Sequence, residues 1–239
     1  MSAKAENGER EKERLIEYWT GKDLKGRPPY ARIVSERLFD ETLPRDISGS
    51  RVLDIGFGDG ELAPYFERRG CSWVGIDLSP GVVKAGREKG LTTFCADCRD
   101  LPFDDGSFDL TYSLGVVEHF EGTERAIQEH ARVSRSGGVV IIAVPNMLSP
   151  YNPLTLAYHV LDGTVRYGIA SFGKRYTRRG LRRMMEEAGL EVVQKPRLCF
   201  QSLALVAFPG RFVRLCRGVE SISWLRWAGA MIWGVGTKR

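Results

Sequence analysis

The sequence has little of what marks secreted, disulfide-stabilised or membrane-spanning proteins. Five cysteines stand at irregular intervals in 239 residues, and this usage does not indicate a disulfide framework. The charged N-terminus lacks the apolar core of a signal peptide, and no uncharged run reaches the length that a membrane-spanning helix needs. We therefore expect a cytoplasmic protein in a reducing compartment.

The cysteines are also not spaced like the ligands of a structural metal site. Cys95 and Cys98 form one closely spaced pair. A structural zinc site takes four ligands, and no second pair is present to complete one. Two packing cysteines explain the pair better than half of a zinc site does, so no metal is expected.

The composition is otherwise ordinary, but the charge is unevenly distributed. Hydrophobic residues make up 43% of the chain and charged residues 27%, as in typical globular domains. The formal net charge of +5 hides an excess of 15 Lys/Arg over 5 Asp/Glu from Tyr151 onward. An anionic partner would therefore meet the C-terminal third of the chain. A solvated, arginine-rich surface is the alternative interpretation.

The most informative stretch is RVLDIGFGDG, residues 51–60. Val52, Leu53 and Ile55 have the apolar character of a buried parallel strand, and three glycines follow at alternate positions. The residues after them have a helical pattern, so the stretch predicts a strand, a glycine turn and a helix in succession. Such a unit commonly holds a nucleotide-like ligand, because glycine lets the backbone approach the ligand closely.

The glycine turn departs from the dinucleotide-binding pattern. In that pattern, G-x-G-x-x-G, the third glycine packs the helix onto the strand. Here the third glycine comes one residue early, at Gly60, and Glu61 takes its place. Asp54, Asp59 and Glu61 surround the turn with negative charge, and the turn contains no lysine. The turn is therefore better suited to a cation than to a pyrophosphate.

Strands and helices alternate beyond the turn. Apolar runs predict further strands at Ser72–Ile76, Leu91–Cys95, Phe108–Tyr112 and Gly138–Val144, with two more that begin at Leu190 and Met231. This alternation predicts an α/β fold with a doubly wound, mostly parallel seven-stranded sheet.

The chain divides into an N-terminal extension and one larger domain. Residues 1–45 predict two helices that precede the first strand, and these either form a lid or simply pack on the sheet. Residues 46–239 form the ligand-binding domain. Within it, residues 147–173 are an insertion on the substrate side, and residues 200–239 are a basic and apolar C-terminal segment.

Polar residues follow four of the predicted strands. Asp54–Gly60 follow the first, Asp77 the second, Asp97 the third, and Ser113 with Leu114 the fourth. Asp77 comes 23 residues after Asp54, near the offset of about 20 at which an acidic group meets ribose hydroxyls in nucleotide-binding βαβ units. Ligands of doubly wound sheets bind beyond the C-terminal strand ends, so these residues are expected to share one site. Asp77 and Asp97 could instead be ordinary polar strand ends.

Taken in order, these motifs resemble those of the class I S-adenosylmethionine-dependent methyltransferases, of the small-molecule type similar to quinone-biosynthesis O-methyltransferases. The resemblance covers roughly Arg51 to Asn146. VLDIGFGDG is similar to the family's first motif, GIDLS to its second, ADCRDLPFDDGSFDLTYS to its third and fourth, and SRSGGVVIIAVPN to the segment that follows. The displaced third glycine disfavours the alternative, a NAD-dependent dehydrogenase.

The resemblance implies S-adenosyl-L-methionine as the cofactor and S-adenosyl-L-homocysteine as the product. Asp54 and the turn backbone would hold the methionine part, Asp77 the ribose hydroxyls and Asp97 the adenine amino group. Leu78 and the Cys98 backbone would lie beside the adenine, with Ser113 and Leu114 near the sulfonium. The complete expected set of cofactor-binding residues is Asp54, Gly56, Phe57, Gly58, Gly60, Asp77, Leu78, Asp97, Cys98, Ser113 and Leu114.

His119 is the candidate catalytic base. Methyl transfer is an in-line displacement on an activated carbon, so positioning the reactants supplies most of the catalysis. A base is needed only where the acceptor must lose a proton, and a histidine, which titrates near neutrality, suits that task. His119 follows the fourth strand closely. It could equally be structural, and Glu118 could either orient it or point away.

The expected reaction is methyl transfer to a small molecule, to an oxygen of a lipophilic or anionic metabolite. No Asn/Asp-Pro-Pro-Tyr/Phe motif follows the fourth strand, which counts against methylation of nucleic-acid bases or glutamine, and no nucleic-acid partner is expected. A protein that binds S-adenosylmethionine without turnover and a C- or N-methyltransferase of the same fold stay open as alternatives. Peripheral membrane contact through the C-terminal segment and the oligomeric state also stay open.

Overall fold

The computed structural model describes residues 10–17, 29–148, 174–199 and 231–239. Its strands are β1 (Arg51–Ile55), β2 (Ser72–Asp77), β3 (Thr93–Cys95), β4 (Phe108–Leu114), β5 (Ser134–Pro145), β6 (Leu190–Cys199) and β7 (Met231–Lys238). They form one sheet in the order β3-β2-β1-β4-β5-β7-β6. Strands β1 to β5 pair in parallel, whereas β7 runs antiparallel to β5 and β6. The predicted α/β fold with a mostly parallel seven-stranded sheet is confirmed.

Helices connect the strands and cover the sheet. They are α1 (10–17), α2 (Pro29–Thr42), α3 (Ala63–Glu67), α4 (Pro80–Glu88), a 3-10 helix (Val117–His119), α5 (Thr123–Val133) and α6 (Arg178–Glu187). Side chains cap two of them, since Ser79 accepts from the backbone N–H of Val82 and Thr177 from that of Gly180. Such caps satisfy N–H groups that the first helical turn leaves without a partner.

Both faces of the sheet are buried, which explains why β1 is a nearly continuous apolar run. Leu53 and Ile55 point to one face, where they pack with residues of α5 and α6 such as Ile127. Val52 points to the other face and joins an aromatic cluster. The side chains alternate because successive residues of a strand face opposite sides.

The aromatic cluster fixes helix α2 on the sheet. The ring centroid of Phe39 lies 5.1 Å from those of Phe66 and Tyr112 and 5.3 Å from that of Trp233. Phe39 is fully buried, and burying a side chain of this size stabilises a fold by roughly 2 kcal/mol. This part of the N-terminal extension therefore belongs to the core.

Element boundaries differ from the expected ones mainly at strand ends. β4 continues to Leu114 because Ser113 pairs with Ile55 and Leu114 with Ala143. Most of the insertion at 147–173 and most of the segment at 200–239 lie outside the described residues. Within the described part of the chain, no helix is both long and apolar enough to cross a membrane.

Candidate functional site

The candidate site lies where the strand order reverses. From β1, the chain proceeds to β2 and β3 on one side and later to β4 and β5 on the other. The C-terminal ends of β1, β2 and β4 are therefore neighbours, and this is where doubly wound sheets bind their ligands. The expected residues at Asp54–Gly60, Asp77 and Ser113–Leu114 lie at these three ends.

The glycine turn after β1 needs its glycines. Gly56, Gly58 and Gly60 have φ angles of 77°, 60° and 74°, which residues with a side chain rarely adopt. A Cβ at Gly56 would lie 2.4 Å from Cγ2 of Val116, and one at Gly60 would lie 2.4 Å from Cδ1 of Leu91. The packing of the protein itself therefore requires glycine at positions 56 and 60, because Val116 and Leu91 fill the space that a side chain would take.

Asp77 is held directly beside this turn. Its Oδ2 accepts from the backbone N–H of Gly58 at 3.4 Å, and its Oδ1 accepts from that of Ser79 at 2.9 Å. The N–H groups of Gly56 and Phe57 both point to the carbonyl of Ile76. These hydrogen bonds place the carboxylate at the end of β2 next to the turn at the end of β1.

Asp54 is a buried carboxyl at the root of the turn. It is 4% exposed, and its Oδ2 accepts a hydrogen bond of 2.6 Å from the hydroxyl of Tyr112. Burial raises the pKa of Asp54 to about 8, the hydrogen bond from Tyr112 lowers it, and the charges of Asp77 and Asp59 raise it. Desolvation disfavours the ionised carboxylate, so a cation at the turn would be a favourable partner.

Asp97, after β3, is engaged by two cationic side chains. Its oxygens accept from the backbone N–H, Nε and Nη2 of Arg99, and Nζ of Lys12 lies 3.3 Å away. Arg99 also bonds Glu11 of α1 at 2.7 Å and the carbonyl of Glu121 at 3.0 Å. Burial alone would raise the pKa of Asp97, but the hydrogen bonds and charge of Arg99 hold it below the usual value. An adenine amino group bound there would therefore have to share the Asp97 carboxylate with Arg99 and Lys12.

The end of β4 carries polar groups in a buried setting. Ser113 is fully buried and Glu118 is 3% exposed. Within the described residues, Oγ of Ser113 and Oε2 of Glu118 have no hydrogen-bond partner. Burial raises the pKa of Glu118 to about 8. His119 is the next residue, and Nε2 of its imidazole lies 4.0 Å from Oε1 of Glu118.

Two of the expected cofactor residues turn their side chains into the core. The ring of Phe57 packs against Trp73 at 5.9 Å between centroids, and the thiol residue Cys98 is 3% exposed. Only their backbone groups are available to a ligand. Leu78 and Leu114 are partly buried and pack at the edges of the two apolar clusters.

The chemistry of this edge fits a cationic, phosphate-free ligand with hydroxyl groups. Asp54 and Asp77 place two carboxyl groups at the glycine turn, and the end of β4 adds two buried oxygens without a hydrogen-bond partner among the described residues, Oγ of Ser113 and Oε2 of Glu118. A family model described as a methyltransferase domain matches residues 53–142, the segment that builds all of these features. Residues 53–142 therefore form a methyltransferase domain, as the resemblance to the class I S-adenosylmethionine-dependent methyltransferases predicts.

Known relatives share this domain and extend the comparison. An "Uncharacterized methyltransferase" of Mycobacterium sp. (strain JLS) is 36% identical over 141 residues, which cover 58% of this chain and 53% of that protein. A "Demethylmenaquinone methyltransferase" of Thermobifida fusca is 36% identical over 115 residues, 45% of this chain and 48% of that protein. A "tRNA (carboxymethyluridine(34)-5-O)-methyltransferase" of Arabidopsis thaliana is 32% identical over 130 residues, 50% of this chain and 31% of that protein. The chain spans about half the length of the first two relatives.

The fold of the chain also resembles solved structures. A Haloferax volcanii methyltransferase, described as putative and in complex with the activator Trm112, aligns with a TM-score of 0.65 at 19% identity. The alignment covers 96% of each chain. At this level of identity the likeness shows the fold alone, and it extends the fold beyond residues 53–142.

Three residues at the site were not expected from the sequence. Tyr112 was assigned only to a strand, and Arg99 and Lys12 were given no role. Tyr112 shares its strand with the hydroxyl residues Thr111 and Ser113, so the strand sequence does not single it out, and its partner Asp54 follows only from the register that sets the two residues side by side. The contact of Lys12 with Asp97 and that of Arg99 with Glu11 depend on where α1 packs, which local sequence does not specify, whereas Arg99 reaches Asp97 from two positions away.

Proposed function

We propose that this methyltransferase transfers the methyl group of S-adenosylmethionine to an oxygen of a small lipophilic or anionic acceptor. The observation that carries the proposal is the contact between the glycine turn and the segment that bears His119. The side chain of Val116 covers Gly56, and the carbonyl of Val116 accepts from the backbone N–H of His119 at 3.1 Å. A candidate base therefore stands beside the candidate cofactor cradle.

The cofactor would be held by the acid-lined edge. S-adenosylmethionine supplies an activated methyl group on a sulfonium, and it carries an ammonium and two ribose hydroxyls but no phosphate. Asp54 and the backbone of Gly56–Gly60 would hold the ammonium end, and Asp77 would accept from the hydroxyls. Ser113 and Leu114 would lie near the sulfonium. Oγ of Ser113 supports this arrangement, because it is buried and has no partner within the described residues.

His119 would take the proton that an acceptor hydroxyl loses as its oxygen attacks the methyl carbon. Its side chain is 14% exposed, so it is shielded from most of the bulk water without being closed off from solvent. Glu118 beside it would be mostly protonated near pH 7, because burial raises its pKa to about 8. A neutral Glu118 would add no negative charge that favours an imidazolium, and the neutral imidazole is the form a base requires.

Relatives of this chain act on different acceptors, so the acceptor class rests on weaker support than the methyl transfer. The name of the Thermobifida fusca relative indicates a lipophilic quinone precursor, and that of the Arabidopsis thaliana relative indicates a tRNA base. The quinone-like comparison supports a lipophilic acceptor. The excess of Lys/Arg beyond Tyr151 supports an anionic one and would also suit a membrane surface.

The N-terminal extension would close the cofactor side of the site. Its helix α1 reaches the loop after β3 through Glu11 and Lys12, which contact Arg99 and Asp97. Helix α2 is fixed in the core through Phe39. The extension would thus combine a packing element with a cover.

Calorimetry and methyl labelling test the proposal. Titration with S-adenosylmethionine and S-adenosylhomocysteine should show binding of both. Incubation with the labelled methyl donor and a panel of phenols, catechols and quinols should label a small molecule, while tRNA in parallel stays unlabelled. Absence of cofactor binding would overturn the proposal. The same incubation with a cell extract separates the alternatives. A chain that binds the cofactor but labels no fraction of the extract would be a binding protein without turnover. Labelled tRNA would mean that the acceptor is a nucleic acid and not a small molecule.

A further inference from the structure

A chain of three buried side chains leads from the core to the glycine turn. Nε1 of Trp73 donates to the hydroxyl oxygen of Tyr112 at 3.2 Å, and that hydroxyl donates to Oδ2 of Asp54 at 2.6 Å. Tyr112 is fully buried, and Trp73 and Asp54 are 5% and 4% exposed. The three residues come from β2, β4 and β1, which are adjacent strands of the sheet.

The direction of the chain is fixed by its first member. The indole N–H of Trp73 can only donate, so the Tyr112 oxygen accepts from it and turns its own proton toward Asp54. The hydroxyl of Tyr112 is thus preset to stabilise a negative charge on Asp54. A hydrogen bond to an ionised carboxylate is roughly twice as strong as one between neutral groups.

The surroundings of Asp54 oppose that negative charge while no cation is near. The side chain lies on the face of β1 that also carries Val52, where it meets the aromatic cluster. The titratable groups that face it are Tyr112 from β4, Asp77 at the end of β2 and Asp59 in the glycine turn. Burial is the largest influence and raises the pKa of Asp54, and the two acidic neighbours raise it further.

We infer that Trp73, Tyr112 and Asp54 form a proton-linked charge relay, in which Asp54 is neutral in the free site and becomes ionised when a cationic amino-acid end enters the turn. The inference rests on the proposed function, because the cation is the ammonium of S-adenosylmethionine. The proton that leaves Asp54 goes to the buffer. Tyr112 is a positioning residue, since its hydroxyl holds the ionised carboxylate without touching the cofactor.

The relay makes cofactor affinity depend on pH in a defined direction. Ionised Asp54 is the form that binds, so affinity should rise about tenfold per pH unit from pH 6 toward pH 8. An α-amino group titrates at about 7.7–8.0, so affinity should fall again at higher pH as the cofactor loses its own charge. The rise in affinity reflects the ionisation of Asp54, and the fall at higher pH reflects the loss of the proton from the cofactor's amino group.

Calorimetry at pH 6.5 in buffers of different ionisation enthalpy measures how many protons the wild-type chain releases when it binds S-adenosylmethionine. We expect the release of close to one proton for each S-adenosylmethionine bound, because the cofactor's ammonium keeps its proton at this pH. Adenosine, which lacks the amino-acid end, should bind without proton release. Binding of S-adenosylmethionine without proton release and without a rising limb would overturn the relay alone. Failure to bind S-adenosylmethionine at all would overturn the proposed function as well.

Two matched variants separate the relay from general packing. Tyr112→Phe removes only the hydroxyl, and it should weaken S-adenosylmethionine binding at pH 7 by roughly tenfold or more and shift the rising limb to higher pH. Tyr65→Phe is the control, because the Tyr65 hydroxyl donates to Asp40 at 2.9 Å in the same aromatic cluster but away from the turn. It should leave affinity and proton release unchanged. A Tyr112→Phe chain that is folded by circular dichroism and binds as tightly as wild type at every pH would remove Tyr112 from the relay.

Discussion

Oε1 of Glu118 lies 4.0 Å from Nε2 of His119, and the two side chains are 3% and 14% exposed. Burial raises the pKa of Glu118 to about 8, so the carboxyl is mostly protonated near pH 7 and adds little negative charge beside the imidazole. A buried carboxylate would favour the protonated imidazolium, which cannot act as a base. Near pH 7 Glu118 therefore does not act as the ionised partner that would hold a proton on His119.

Replacing His119 should separate catalysis from cofactor binding. A positioned base contributes typically 10²–10⁴-fold to a reaction, so His119→Gln should lower methyl transfer to a hydroxyl acceptor by about 100-fold or more. Affinity for S-adenosylmethionine should stay within about twofold, because the proposed cofactor contacts lie elsewhere. Labelled-methyl turnover and calorimetry measure the two effects. Unchanged turnover would remove His119 from the mechanism.

Glu118→Gln is the companion variant. The amide resembles the neutral carboxyl that we expect near pH 7, so turnover at that pH should stay within about threefold of wild type. Above pH 8 the two chains should diverge, because only the wild type gains a charge there. A loss at pH 7 as large as that of His119→Gln would mean that Glu118 acts as an ionised group.

Asp77 should be essential for cofactor binding. Hydrogen bonds to a charged acceptor contribute roughly 1.5–3 kcal/mol each, and the proposed contact has two of them, so Asp77→Ala should weaken binding by more than about 100-fold. The affinity of Asp77→Asn should lie between those of Asp77→Ala and wild type, since the amide oxygen can still accept from the backbone N–H of Ser79. Asp104→Asn, at an exposed position in the loop between β3 and β4, is the control. Calorimetry that finds wild-type affinity in Asp77→Ala would contradict the assignment.

The sequence was sufficient to predict the fold and the edge of the sheet where the site lies. Apolar runs that alternate with helices indicate a doubly wound sheet, and the rule for its ligand edge then brings Asp54, Asp77 and Ser113 together. The positive φ angles of Gly56, Gly58 and Gly60 bear out the turn read from spacing alone. These features are local, so a local pattern reveals them.

The contacts of the site could not be predicted because they depend on tertiary register. Tyr112 meets Asp54 only because β4 pairs with β1 with these two residues opposite each other. A shift of one residue would send Tyr112 to the other face of the sheet. Asp97 was expected to be available to adenine, whereas Arg99 and Lys12 already contact it. Lys12 is 85 positions away in the chain, and no local pattern relates the two.

Stability should fall as the pH rises from 6.5 to 8. The pKa values of Asp54 and Glu118 are raised to about 8 by burial, so both groups keep a proton in the folded chain that the unfolded chain has lost. Each should lower the free energy of unfolding by about 1.4 kcal/mol per pH unit near pH 6.5 and by about half of that near pH 8, where the folded carboxyl is itself half ionised. His130, whose pKa burial lowers to about 4, has the opposite effect but only below its unfolded value of about 6.5.

Urea unfolding at several pH values measures this decline. Asp54→Asn should remove about half of it, because one of the two proton-binding groups is gone. Asp104→Asn, which changes an exposed carboxylate, should leave the slope as in wild type. A stability that stays constant between pH 6.5 and 8 would show that neither buried carboxyl retains its proton.

Glu11 should hold helix α1 on the cofactor edge. Its Oε2 lies 2.7 Å from Nη1 of Arg99, its Oε1 accepts from the backbone N–H of Glu121 at 2.6 Å, and the paired side chains are only 20% and 15% exposed. Glu11→Gln keeps a polar group but removes the charge, and a loss of about 1 kcal/mol would make local opening of α1 roughly fivefold more frequent. Trypsin should then cut after Lys12 or Arg14 about five times faster, as mass spectrometry of timed digests would show.

Glu186→Gln removes a more exposed pair with Arg182 on α6 and should digest like wild type. If cofactor binding slows the cleavage of wild type and Glu11→Gln weakens that protection, α1 closes over the site; equal cleavage of all three chains would mean that the pair with Arg99 does not hold the helix.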